Sequence, residues 1–157
     1  MLKLLPITNE SDFLSDVILL LLKFRGLIFS ECVNPLNVFF EDLNDKKTRV
    51  VGAFKNNLLI AFVTFYNFQK ITKENFSCYM YGAAERGFAK EIEILFEYLF
   101  VDLKKQGCVV LRLETREYNL PMRNLAHRLG FKKVGILSAT NYLKGKFRSS
   151  ILYEKLL

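Results

Sequence analysis

The sequence has no tryptophan, a single histidine, three prolines and three cysteines in 157 residues. Each scarcity removes a class of chemistry. One histidine, His127, leaves no paired imidazoles for a His-rich metal centre. Cys32, Cys78 and Cys108 form no C-x-x-C pair and are odd in number, so the chain reads as reduced and cytosolic, not stapled by disulfides. A Cys–His protease would need one of these thiols beside His127, and no local signature supports that. The longest apolar run, Val17 to Leu22, is ended by Lys23 and Arg25. It falls far short of the roughly 20 residues that a membrane span needs, and no small-residue cleavage site follows it closely enough for a signal peptide. There is no G-x-x-x-x-G-K-[ST] loop and no G-x-G-x-x-G, so nucleotide-hydrolysing and dinucleotide folds have no support. Internal repeats and Pro/Gly/Ser linkers are also lacking. A single domain over residues 1–157 is expected.

What is present is a globular composition, 51% hydrophobic and 25% charged, which excludes disordered and collagen-like classes. The net charge of +7 is unevenly placed. Counted along the sequence, residues 1–75 carry +1 (9 basic, 8 acidic), residues 76–103 carry −3 (2 and 5) and residues 104–157 carry +9 (12 and 3). The basic C-terminal third suggests an anionic partner: nucleic acid, a phosphorylated cofactor or an acidic surface. A solvated basic face explains it equally well.

The apolar periodicity gives the organisation. Leu2–Ile7 is a short strand. Asn9 or Ser11 can cap a helix running to about Arg25, with Leu14, Ile18, Leu21 and Leu22 at helical spacing. Asn34 followed by Pro35 opens a second helix toward Leu43. A hairpin follows, with strands ending near Phe54 and spanning Leu58–Tyr66 about an Asn-rich turn. After a polar turn over Gln69–Asn75, Phe76–Gly82 is a third strand of the same sheet. Ile92, Leu95, Phe96, Leu99 and Leu103 mark one face of a long helix that Gly107 closes. Val109–Leu113 is a strand, Pro121 begins a short helix, and Val134–Leu137 and Ser150–Tyr153 are two last strands. The strand–helix–strand unit from Phe76 to Leu113 demands a parallel pair. The fold class is therefore mixed α/β, mostly antiparallel, flanked by about four helices.

Two segments carry chemistry. The first, Tyr79 through Lys90, is a strand, a turn of small residues and a helix start, where free amides and the dipole suit a pyrophosphate. Glu85 and Glu91 would repel one placed close to them. The second, Asn119 to Phe131, resembles the N-x₁₀-G-F signature of the Gcn5-related N-acetyltransferase (GNAT) superfamily. Arg86-Gly87-Phe88-Ala89 then looks like the end of that family's acetyl-CoA loop, Q/R-x-x-G-x-G/A, and the order and spacing of the two segments also resemble the family.

The resemblance implies a sheet splayed between its fourth and fifth strands, about 76–82 and 109–116. It implies acetyl-CoA as cofactor: the pantetheine arm beside Met80 and Tyr81, the pyrophosphate on the amides of Arg86, Gly87, Phe88, Ala89 and Lys90, and the arm oriented by Asn119. Basic residues of the C-terminal third, Arg123 among them, would meet the 3′-phosphate. The activity implied is transfer of acetyl to a primary amine by direct attack in a ternary complex. Two positions depart from the family pattern. The loop's first residue is Ala84, and Ala126 occupies the place of a frequent tyrosine general acid. Tyr118 and Tyr142 are substitute proton donors by residue type, with packing as their alternative role. Glu74 is the candidate general base, thirteen residues before Gly87, with a water in its place as the other option. Glu114 and Glu117 are the next candidates. The acceptor is a small-molecule or peptide amine, and a homodimer through the C-terminal strand edge is open. Two other readings fit the same residues: a GNAT-shaped module that binds coenzyme A or a partner with weak or no catalysis, and a basic RNA- or ribosome-associated domain.

Overall fold

The computed structural model describes residues 2–157 apart from Cys32. Its elements run β1 (Leu2–Ile7), α1 (Leu14–Lys23), α2 (Arg25–Ile28), α3 (Pro35–Asn44), β2 (Arg49–Lys55), β3 (Leu58–Lys70), β4 (Phe76–Ala84), α4 (Ala89–Lys105), β5 (Cys108–Arg116), α5 (Leu120–Arg128), β6 (Lys132–Leu143) and β7 (Lys146–Leu156). The strands form one sheet in the order β1-β2-β3-β4-β5-β7-β6. Every neighbouring pair is antiparallel except β4–β5, which the α4 crossover makes parallel.

Local chemistry explains the punctuation. Asn56 and Asn57 both take positive φ, 52° and 65°, as the tight β2–β3 hairpin requires. The Asn34 side chain accepts from the Leu36 amide and caps α3 ahead of Pro35. Gly107, at φ +94°, turns the chain out of α4, and a Cβ there would stand 2.2 Å from the Glu74 carbonyl oxygen. All five residues of the expected α4 stripe are buried.

Strand alternation divides the core between the two sheet faces. Cys78 and Met80 of β4 point into a cluster with α4 and α5, whereas Tyr81 and Ala83 belong to the cluster under α1 and α3. The Sγ atoms of Cys78 and Cys108 lie 3.9 Å apart, unbonded, inside the first cluster.

Several boundaries differ from expectation. The first helix starts only at Leu14, and neither Asn9 nor Ser11 caps it; the Ser11 hydroxyl is taken by the Thr8 amide in a turn of its own. It stops at Lys23, and Arg25–Ile28 form a separate turn of helix, giving five helices among the described residues. β3 continues through Gln69 to Lys70, past a register break at Tyr66, and the last two strands make a hairpin far longer than Val134–Leu137 and Ser150–Tyr153. Polar residues on an edge hairpin bury no apolar stripe, so sequence periodicity does not mark them. Cys32 lies outside the described residues.

Candidate active site

The β4–β5 ladder ends at Met80↔Leu113. Beyond it the two strands keep their outer partners and lose each other. Tyr81–Ala84 stay paired with Ala61–Thr64 of β3, and Glu114–Arg116 stay paired with Ser150–Leu152 of β7. Their facing backbone groups line a gap, and a cavity of about 360 Å³ occupies it. The lining comes from both sheet faces: Leu95, Phe96 and Leu125 from the α4–α5 side, and Phe24, Leu27 and Ile28 from the α1–α2 side. The gap is thus a slot that passes through the sheet. Gly82 shapes its β4 wall, where a Cβ would fall 2.2 Å from the Phe62 carbonyl oxygen of β3.

At one end the slot meets the start of α4. Ala84, Glu85, Arg86, Gly87 and Ala89 line it there. Gly87 has φ +90° and open space around its Cβ position, which aims the turn's backbone at the cavity. The first amides of α4 have no intrahelical acceptor and carry the positive end of the dipole. The acidic residues that compromised this loop in the sequence are neutralised. Lys23 Nζ reaches Glu85 Oε2 at 2.6 Å, and Lys55 Nζ reaches Glu91 Oε1 at 2.5 Å. The Lys55 ammonium also lies 5.5 Å from the Phe88 ring centroid. Lys55 and hydrogen bonding hold the Glu91 carboxyl below its ordinary range.

On the α1–α3 side, Tyr81 donates its O–H to Asp42 Oδ2 at 2.7 Å. Tyr66 packs against Tyr81 and Tyr79, with centroids 5.5 and 5.9 Å apart. Burial first, then the charges of Glu114 and Asp42, push the Tyr66 hydroxyl up to about 12. A tyrosine whose folded pKa exceeds its unfolded value near 10 keeps its stabilising effect below pH 10 and loses it as pH rises toward 12. Denaturant midpoints measured from pH 9 to 12 should therefore fall across that window, and Tyr66→Phe should flatten the fall. Arg116 closes this side: its guanidinium donates to Ser150 Oγ at 3.0 Å and to the Ile28 carbonyl at 2.9 Å, and lies 3.5 Å from Glu114 Oε1.

The structure gathers most of the expected cofactor residues and scatters the expected catalytic ones. Met80, Tyr81, Arg86, Gly87, Ala89 and Asn119 line the slot. Asn119 also caps α5 by accepting from the Met122 amide at 3.3 Å. Phe88 and Lys90 lie at the start of α4 outside the lining. Arg123 turns inward, donating to the Glu117 carbonyl at 2.9 Å. Glu74, expected as the base, stands exposed in the β3–β4 turn, at the other end of β4 from the slot. From there to Gly82 the strand spans roughly 25 Å. Tyr118 is committed to the Gly26 carbonyl at 2.9 Å, and Tyr142 packs on Phe147 in the β6–β7 hairpin; neither lines the slot. Of the secondary candidates, Glu114 lines the slot and Glu117 does not. The contributions of Lys23, Lys55, Asp42 and the α1–α2 wall carry no local sequence signal, since each acts through contacts distant in the chain.

No protein-family model and no curated protein matches the sequence. Solved structures do match the fold over nearly the whole chain. A ribosomal-protein-alanine N-acetyltransferase from Brucella melitensis is 16% identical with a TM-score of 0.78, covering 99% of each chain. An acetyltransferase of the GNAT family from Streptococcus pneumoniae is 15% identical with a TM-score of 0.74, covering 100% of each. NAA60 of Arabidopsis thaliana, in complex with a bisubstrate analogue, is 20% identical with a TM-score of 0.72, covering 99% of this chain and 98% of that one. The chain has the fold of these acetyltransferases.

Proposed function

We propose that the slot is the active site of an acetyl-CoA-dependent N-acetyltransferase that acetylates a primary amine by direct attack. The observation that carries this reading is the gap itself: two unpaired strand edges leading through the sheet to an open helix N-terminus whose neighbouring carboxylates are neutralised by lysines. A long, thin ligand with an amide-bearing arm and a phosphorylated end suits that shape. The free edge of Tyr81–Ala84 would pair with the arm, and the amides of Arg86–Lys90 would hold the pyrophosphate. When bound, acetyl-CoA supplies the acyl group as a thioester.

The chain's residues do the rest. The α1–α2 mouth would admit the amine from the opposite sheet face. Glu114, in place of Glu74, would accept the proton that the acceptor ammonium must lose before its lone pair is free. No Cys or Ser nucleophile lines the slot among the described residues, in keeping with direct attack. Ala126 is fully buried and offers no proton to the departing thiolate from that position. A thiol with pKa near about 8.5 is a tolerable leaving group without one.

Titration calorimetry with acetyl-CoA and a free-thiol assay over a panel of amines test the reading together. Saturable binding and amine-dependent thiol release are expected. Absence of heat at millimolar cofactor would overturn it, and binding without release from any amine would favour the non-catalytic module suggested by Ala84 and Ala126. Lys23→Met should weaken acetyl-CoA binding by about three- to ten-fold at low salt, because it frees the Glu85 charge beside the phosphates, and added salt should shrink the effect. Part of the basic C-terminal third is engaged, Arg112 with Glu154, Arg128 with Glu93, and Arg116 and Arg123 on backbone carbonyls, while Lys104, Lys105, Lys132, Lys133, Lys144, Lys146 and Arg148 stay exposed.

A further inference from the structure

The wall that α1 and α2 give the slot is apolar. Its lining residues there are Phe24, Leu27 and Ile28. At i, i+3 and i+4 they share one face of the helical turn. Leu27 is half-buried yet packs against neither core cluster, so the slot is where its side chain is used. Across the slot, Met80 and Leu113 point into the α4–α5 cluster, so strand alternation turns Tyr81, Ala83 and Glu114 toward the α1–α2 side. The polar atoms around this chamber are already committed. The Gly26 carbonyl accepts from the Tyr118 hydroxyl and the Ile28 carbonyl from Arg116, both at 2.9 Å, which also pins α2 over the slot. The Tyr81 hydroxyl is held by Asp42 at 2.7 Å. Both oxygens of Glu85 are taken by Lys23, at 2.7 and 2.6 Å. Glu114 is different: its Oε1 lies 3.5 Å from Arg116, a longer contact than any of these.

We infer that the acceptor is an apolar monoamine: one ammonium, placed at Glu114, on a small hydrocarbon body seated against Phe24, Leu27 and Ile28. The inference rests on the acetyltransferase reading and adds the substrate class to it. A hydrocarbon body gains by leaving water for that wall. Hydroxyls or a second ammonium would give up their hydration beside carbonyls that already accept hydrogen bonds. A peptide N-terminus carries amide groups next to its amine and meets the same penalty. The cavity of about 360 Å³ must also take the acyl end of the cofactor, which keeps the body small. In the transfer, Glu114 takes one ammonium proton. The freed nitrogen bonds to the acetyl carbon as the carbon–sulfur bond breaks, and its surplus proton goes to the departing thiolate.

The test compares 2-phenylethylamine with 2-aminoethanol, which present the same aminoethyl group on an apolar and a polar end, in thiol-release assays with the full chain. 2-Phenylethylamine is expected to show about 10- to 100-fold higher kcat/KM, the return on burying one aromatic ring. The ratio should survive added salt, which screens charge and leaves apolar burial in place. 1,4-Diaminobutane should fall below 1-aminobutane. Leu27→Ser shortens the wall without opening either core cluster and should lower the first ratio about five-fold or more. Leu27→Met, of similar volume, should keep it. Equal kcat/KM for 2-phenylethylamine and 2-aminoethanol, a ratio that Leu27→Ser leaves intact, or one that collapses with salt would each overturn the inference. Higher kcat/KM for 1,4-diaminobutane or for an alanine-initiated peptide than for 2-phenylethylamine would do the same. Calorimetry of the first two amines on coenzyme A-saturated protein reads the preference without turnover. Tighter binding of 2-phenylethylamine with no acetylation of any amine would overturn the enzyme reading while supporting the apolar site; acetylation with equal binding of the two would sink the site alone.

Discussion

Glu114→Gln is expected to lower kcat by about 10²- to 10⁴-fold, the range lost when a positioned general base is removed. The loss should sit in kcat, with acetyl-CoA affinity kept, because Glu114 lies on the β5 wall while the phosphate end of the slot lies at the start of α4. Glutamine preserves the side chain's volume and its oxygen acceptor, so the Arg116 contact at 3.5 Å loses charge more than geometry. Steady-state kinetics beside cofactor titration separates the two effects. Glu74→Gln is the matched control: its side chain is exposed in the β3–β4 turn at the far end of β4, and kcat should stay within about two-fold, as for surface changes remote from the chemistry. Equal losses in the two variants would refute the assignment of the base to β5.

Gly82→Ala is expected to damage the slot and the sheet together. The added methyl would fall 2.2 Å from the Phe62 carbonyl oxygen, and that atom is backbone inside a ladder, which cannot swing aside as a flexible side chain can. Overpacking of this kind costs about 1–3 kcal/mol, and a clash with backbone belongs at the upper end. For a chain of this length, a shift of several degrees in Tm follows. Relief can come by pushing β4 away from β3, which moves Tyr81–Ala84 into the gap. Acetyl-CoA affinity should then fall by at least about ten-fold, equivalent to 1.4 kcal/mol. Thermal unfolding and calorimetry on the same sample check both halves. Unchanged affinity in a destabilised protein would show that the Gly82 wall does not contact the cofactor.

The fold was largely legible because its signals are local or strictly periodic. The α4 stripe, the paired asparagines at 56 and 57, and the cap-then-proline start of α3 each act within a few residues. The parallel pair followed from chain connectivity, since a strand, a long helix and a strand admit few other arrangements. The slot was legible along its β4–α4 wall for the same reason: residues 79–90 are continuous in sequence, and most of them line it. The catalytic side was not. The spacing of Glu74 from Gly87 fits a base, but β4 is long enough to put Glu74 at the end remote from the slot. Glu114 differs from Glu117 only in where β5 stops and the chain turns. The neutralisation of Glu85 by Lys23 spans 62 positions, and that of Glu91 by Lys55 spans 36. The −3 segment looked hostile to phosphate because its counter-charges come from other elements.

The position of β7 between β5 and β6 bears on how the protein is made. β2, β3 and β4 are joined by short turns and can pair as they leave the ribosome, in the order of synthesis. β5 can then join β4 only along Phe76–Met80, and its other edge waits for β7, which is synthesised after β6. Until then both edges of the future slot, and the open flank of β5, are unpaired strand edges of the kind that recruit other chains. The same discontinuity that gives the finished molecule its slot leaves the nascent one with its middle strand half-covered, so the interval between the emergence of β5 and β7 is when this chain is most exposed to misassembly.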